Sequence, residues 1–233
     1  MWSKKLPETD EERINVLRTI AAQEEINESP NKILSVFELG ELNAFTKTLE
    51  GSLFIFKQAI TDINKAKNNY NDLFKNAQMY ISHFIQVLLL TVIRNEIKAE
   101  NLILYGFTEK NPAIPDLSTE EAIIQWGENL IRGEADRISR SGIPLYNPAI
   151  AKVKVHYELF KESIYSLTIY EKSLTRIQNT MNDIRNKADT LINEMWTKTE
   201  ERYRSAPPEE QTQQYKAYKI QFHRKGEQLN VFD

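Results

Sequence analysis

Residues 42–92 read LNAFTKTLEGSLFIFKQAITDINKAKNNYNDLFKNAQMYISHFIQVLLLTV, and this stretch decides the fold. Leu42, Leu49, Phe56, Ile63, Tyr70, Ala77 and Phe84 recur every seven positions, with Leu53, Ile60, Phe74, Ile81 and Leu88 in a second row beside them. That spacing lays both rows along one face of a helix. No proline falls between Pro30 and Pro112, so nothing strong breaks the pattern. The weakest point is Asn68 to Asp72, a run of poor helix formers. The register Ile63, Tyr70, Ala77 carries through it without a slip, which predicts one continuous helix over 38–98.

A second run of the same kind extends from Pro148 to Arg204. Val153, Phe160, Leu167, Leu174, Met181, Ala188 and Met195 form its main row. Two heptad-patterned helices of similar length, 38–98 and 148–204, are most simply antiparallel partners. Thr9-Asp10-Glu11-Glu12 and Ser118-Thr119-Glu120-Glu121 have the form of helix-starting capping boxes. They open two shorter helices, expected at 10–27 and 119–141. The fold class is therefore all-α, an elongated antiparallel bundle with one short helix at the start of each long one. Residues 101–117, with Leu102 to Phe107 among them, are expected to give extra cover over residues 79–93. Residues 1–204 are expected as a single domain. Residues 205–233 are expected as a C-terminal tail, in which Glu209 to Phe222 either forms a short amphipathic helix or frays. No internal repeat of 20–50 residues stands out.

Composition narrows the function classes. The 30 basic and 33 acidic residues leave a net charge of −3, so no global field attracts nucleic acid or an anionic membrane. There is no cysteine, which removes thiolate metal sites and cysteine nucleophiles. The longest apolar run, Phe84 to Ile93, is about half of what a bilayer crossing requires. A cytoplasmic location is the default expectation, with neither membrane nor nucleic acid as partner.

Catalytic signatures are missing. No histidine follows a glutamate at the Glu-x-x-His spacing of di-iron bundles, and the seven glycines make no phosphate loop. No cofactor, metal or catalytic residue is assigned, and the reading leans away from an enzyme. The one alternative is a small-molecule or metal-dependent activity where antiparallel helices would bring His83, His156 and Glu162 to the same end.

From Met79 onward the first long helix turns apolar on nearly every side, which calls for more neighbours or a second molecule. Leu89, Leu90 and Ile93 are the interaction candidates there. Tyr215, Tyr218 and Phe222 are the candidates in the tail, as a helix face for a partner's groove. The leading expectation is a non-enzymatic interaction or scaffold protein that engages a protein partner or itself.

Several local patterns carry a resemblance. They are Leu6-Pro7-Glu8-Thr9-Asp10-Glu11-Glu12-Arg13, Tyr105-Gly106-Phe107, Gly133-Glu134-Ala135, Gly142-Ile143-Pro144 and Asn147-Pro148. Across most of residues 6–200 the chain resembles uncharacterised all-helical bundle proteins of bacterial genomes of the Bacteroidetes type. The resemblance implies a bacterial helical bundle and brings no activity and no site residues with it.

Overall fold

The computed structural model describes residues 2–28, 31–108 and 112–224. The chain forms α1 (Asp10–Ile26), α2 (Val36–Ile93), a 3-10 stretch (Ala99–Tyr105), α3 (Glu120–Ser139), α4 (Ile150–Tyr203) and α5 (Pro208–Ala217). Two short strands, β1 (Trp2–Lys4) and β2 (Phe222–Arg224), pair antiparallel with Ser3 opposite His223. The protein is an all-α bundle, and its long helices α2 and α4 pack against each other.

Local chemistry explains the helix limits. At α1 the Thr9 hydroxyl accepts from the Glu12 amide while the Glu12 carboxylate accepts from the Thr9 amide. Thr119 does the first half of this for α3, accepting from the Ala122 amide. A third box, not foreseen, starts α2 at Val36: Ser35 and Glu38 exchange side-chain to backbone bonds of 2.8 and 3.2 Å. α2 is unbroken through Asn68 to Asp72 and stops at Ile93 instead of 98, because Asn95 takes a left-handed φ of 57°. α3 stops at Ser139 for a similar reason, with Ser141 at φ 69° and the Gly142 amide bonded back to the Arg137 carbonyl.

Where one domain was expected, the chain divides into two compact units. The first comprises residues 1–59 and 174–233, the second residues 60–173. The early part of α2 shares a core with the late part of α4 in the first unit, and the reverse holds in the second, so the two helices run antiparallel. Leu17, Ile20, Leu42, Leu49, Ile192 and Trp196 anchor the first core. The second gathers Ile81, Phe84, Leu88, Ile123, Leu130 and Phe160. Leu102, Tyr105 and Phe107 join that second core, giving the cover expected over the apolar end of α2. An 18-residue window of α2 is apolar enough in composition to cross a bilayer, a wider span than the run Phe84 to Ile93, and 28 % of it is buried inside the fold.

Residues 205–224 do not behave as a tail; residues 225–233 lie outside the described residues. Tyr218 and Ile220 are buried in the first core, and the Trp196 indole N–H donates to the Tyr218 carbonyl at 2.9 Å. Lys4 reaches Thr197 and Glu200 at 2.8 and 3.0 Å, tying β1 to α4. Tyrosine and isoleucine after α5 bury apolar area that a solvated tail would leave in water.

Each unit repeats the other with the halves of the chain exchanged. Leu42, Leu49, Ala77, Ile81, Phe84 and Ile85 of α2 are all buried. So are Val153, Phe160, Ala188, Ile192, Met195 and Trp196 of α4, each 111 positions further on. Thr9 and Thr119, the two cap residues, stand 110 positions apart. Tyr105 and Tyr218 are both fully buried, and each is followed by a left-handed residue, Gly106 at φ 85° and Lys219 at φ 58°. The next residue then closes the turn in both: Phe107 N–H to the Leu102 carbonyl, Ile220 N–H to the Tyr215 carbonyl. Every unit therefore combines a short helix and the start of a long helix from one half of the chain with the end of a long helix and its tyrosine turn from the other.

Candidate functional site

The repeat places a buried carboxylate in each unit. Glu24 in α1 and Glu134 in α3 each stand fourteen residues after the first residue of their helix, and both are fully buried. Glu24 accepts from the Tyr218 hydroxyl and from the backbone amides of Ile33 and Leu34 at 3.1 and 2.9 Å. Glu134 accepts from the Tyr105 hydroxyl and from the Leu145 amide at 2.8 Å. In both units the carboxylate thus clasps the loop that leads into the next long helix and a tyrosine from the other half of the chain. Burial, and then the bond to the carboxylate, push the pKa of both tyrosines upward, so they stay protonated donors.

The units part company three residues after the glutamate. In the first, Asn27 donates its Nδ2 to the Tyr218 hydroxyl at 2.9 Å. In the second, Arg137 stands at that position and donates its Nε to the Tyr105 hydroxyl at 2.8 Å. Arg137 also spans both Glu134 oxygens from Nη2 at 2.8 and 2.9 Å and donates to the Ile143 carbonyl at 2.8 Å. Burial works against its charge, but the bonds to Tyr105 and Glu134 outweigh that and raise its pKa.

Arg137 lines a cleft of about 740 Å³ in the second unit, walled by the end of α2, residues 94–101 and the loop from α3 to α4. Arg94, Lys98 and Arg140 line it too, and all three are exposed. Among the described residues none of these three makes an ion pair. Among the described residues Glu96 is the only acid in the lining. An excess of positive charge around a concave surface draws and holds anions.

No family model, curated protein or solved structure matches the chain. The geometry alone carries the functional reading.

Among the residues singled out from the sequence, Leu90 and Ile93 are 49 % and 73 % exposed, while Leu89 packs against the second core. Of the trio in the C-terminal segment, Tyr218 is the one whose placement differs from the expectation. Tyr218 is at 0 % exposure and holds Glu24, so it offers no surface to a partner. Tyr215 packs on the first core with its ring 5.9 Å from that of Phe222, leaving Phe222 at 42 % exposure.

His83 and Glu162 are exposed. His156 is half-buried, with its ring stacked on Tyr80 at 4.0 Å and its Nδ1 without a hydrogen-bond partner among the described residues. Among the described residues no group of three His, Asp or Glu side chains is placed to hold a metal ion. The sequence reading missed Glu24, Glu134 and Arg137. Their one signal was the pair of threonine caps, each followed fifteen residues later by a glutamate.

Proposed function

We propose that the protein is a non-enzymatic interaction protein that receives a protein partner on the loops joining each short helix to its long one. One observation carries this reading. Large apolar side chains stand bare around that connection in both units: Val36 and Phe37, in the first turn of α2, at 88 % and 73 % exposure, and Ile143 and Tyr146, in the loop before α4, at 79 % and 74 %. A single exposed apolar residue is ordinary, but recurrence beside the same clasp in two copies argues for use. The folding of each unit gains almost nothing from side chains so fully in water.

In the second unit the bare residues adjoin Arg94, Lys98 and Arg140, which complements a partner segment carrying both apolar and acidic side chains. Selection of peptides displayed against the immobilised full chain tests this. Enriched peptides should combine Leu or Phe with Asp or Glu. Their binding should weaken by about tenfold or more in the Ile143→Ser/Tyr146→Ser variant, the scale of losing a central apolar anchor. Peptides that bind this variant as tightly as the parent, or a selection without enrichment, would overturn the reading.

A further inference from the structure

The repeat turns the first unit into an internal control for the second. The clasp closes in the first unit with Asn27 in the position of Arg137, and Glu24 is buried there as completely as Glu134 with no ion pair among the described residues. The last turn of α1 carries no basic residue either, so the end of the short helix does not require one. Burying a guanidinium is costly, and here neither the clasp nor the helix end demands it.

The surroundings of Arg137 point outward, to the cleft. Its Nε and Nη2 are spent on Glu134, Tyr105 and the Ile143 carbonyl, and its Nη1 makes no hydrogen bond among the described residues. Gly142 lies against that nitrogen, where a Cβ would come within 2.8 Å of Nη1 and 2.7 Å of the Arg137 carbonyl oxygen. Both residues line the cleft. Arg94, Lys98 and Arg140 add three cations without ion pairs among the described residues. The cleft volume of about 740 Å³ matches the size of a small-molecule site. Tyr146, Ile143 and Ile97 give it an apolar wall.

We propose that this cleft is a binding site for a small organic anion bearing phosphate or carboxylate groups, with Arg137 as the buried anchor and Arg94, Lys98 and Arg140 as the outer ring. The guanidinium, fixed by Glu134 and Tyr105, presents its free edge in one orientation, which favours a planar or tetrahedral oxyanion over a spherical halide. The proposal goes beyond partner docking, since the first unit has its own bare apolar pair and carries Asn27 where the second has Arg137.

Calorimetric titration of the full chain with inorganic pyrophosphate and with citrate, against chloride at matched ionic strength, tests it. The two arms separate phosphate from carboxylate as the preferred group. Saturable binding is expected, weakened about tenfold or more in Arg137→Asn, the residue that the first unit already tolerates. The Arg94→Gln/Arg140→Gln variant leaves the clasp untouched, so it decides the matter should Arg137→Asn fail to fold; it too should weaken binding. Heat no larger than that of chloride, or binding unchanged in the variants that fold, would overturn the proposal. Val36 and Phe37 do not line the cleft, so the Val36→Ser/Phe37→Ser variant should titrate anions normally whatever the peptide selection shows.

Discussion

Tyr105 and Tyr218 show how much rests on single hydroxyls. Among the described residues each is the only side-chain hydroxyl that reaches its buried carboxylate, and each carboxylate already holds the backbone of a loop. Tyr218→Phe leaves Glu24 short of a donor in a place where water does not replace it, and Tyr105→Phe does the same to Glu134. Each substitution should destabilise the protein by about 1–3 kcal/mol, read from urea unfolding, the range for an orphaned buried polar group. The loss should be smaller at Tyr105, because Arg137 still spans both Glu134 oxygens. At this scale the sequence was half legible. Thr9 announced itself through Glu12, since capping boxes have local grammar, whereas Ser118-Thr119-Glu120-Glu121 pointed to Ser118 and the cap is its neighbour Thr119, whose third helical residue is Ala122. Glu24 and Glu134 did not, because a charged residue among polar neighbours reads as solvated until its distant tyrosine is known.

Among the elements, the heptad rows of α2 and α4 were legible because burial on one side of a helix is periodic. The repeat that relates them was not. Its period of about 111 residues lies far beyond the window in which repeats are usually sought. Its two copies also solve the same packing problem with different residues. Leu17 and Thr46, both buried, stand in the first unit where Gly127 and Tyr157 stand in the second. A Cβ on Gly127 would come within 2.3 Å of the Tyr157 ring, so the large residue has moved from the short helix to the long one. Gly127→Ala should therefore cost roughly 1–3 kcal/mol through overpacking, despite the better helix propensity of alanine. Gly127→Leu/Tyr157→Thr copies the arrangement of the first unit and should melt above Gly127→Leu alone. A double variant no more stable than the single would show that the two units are not interchangeable designs. The extent of the fold after α5 was also missed. Tyr218 and Ile220 sit in a stretch rich in Lys and Gln, and their burial comes from a turn with Lys219 left-handed, which no local preference announces.

The molecule as a whole should respond to acid unevenly. Among the described residues, the carboxylates held below their ordinary pKa are Asp10, Glu11, Glu12 and Glu38, all in the first unit. Hydrogen bonding to Lys198, with the Ser35 amide, lowers Glu38 to about 2. A two-pronged bond from Arg185, at 2.7 and 2.8 Å, lowers Asp10. A lowered folded-state pKa means stability that is complete above the unfolded value and is lost as pH falls through the folded one. For Glu38 that window runs from about 4.5 down to about 2. Hydrogen exchange across this range should show protection falling first in α1, the start of α2 and the end of α4, with residues 60–173 yielding later; equal loss in both units would contradict this. The division of the chain has a further consequence for its birth on the ribosome. The second unit is one continuous segment, and its clasp joins residues 29 apart, whereas Glu24 and Tyr218 are separated by 194. The nascent polypeptide can complete the second unit while α1 still waits for a tyrosine that has not been translated. In that interval the bare apolar face of α1 and of early α2 is what a chaperone would meet.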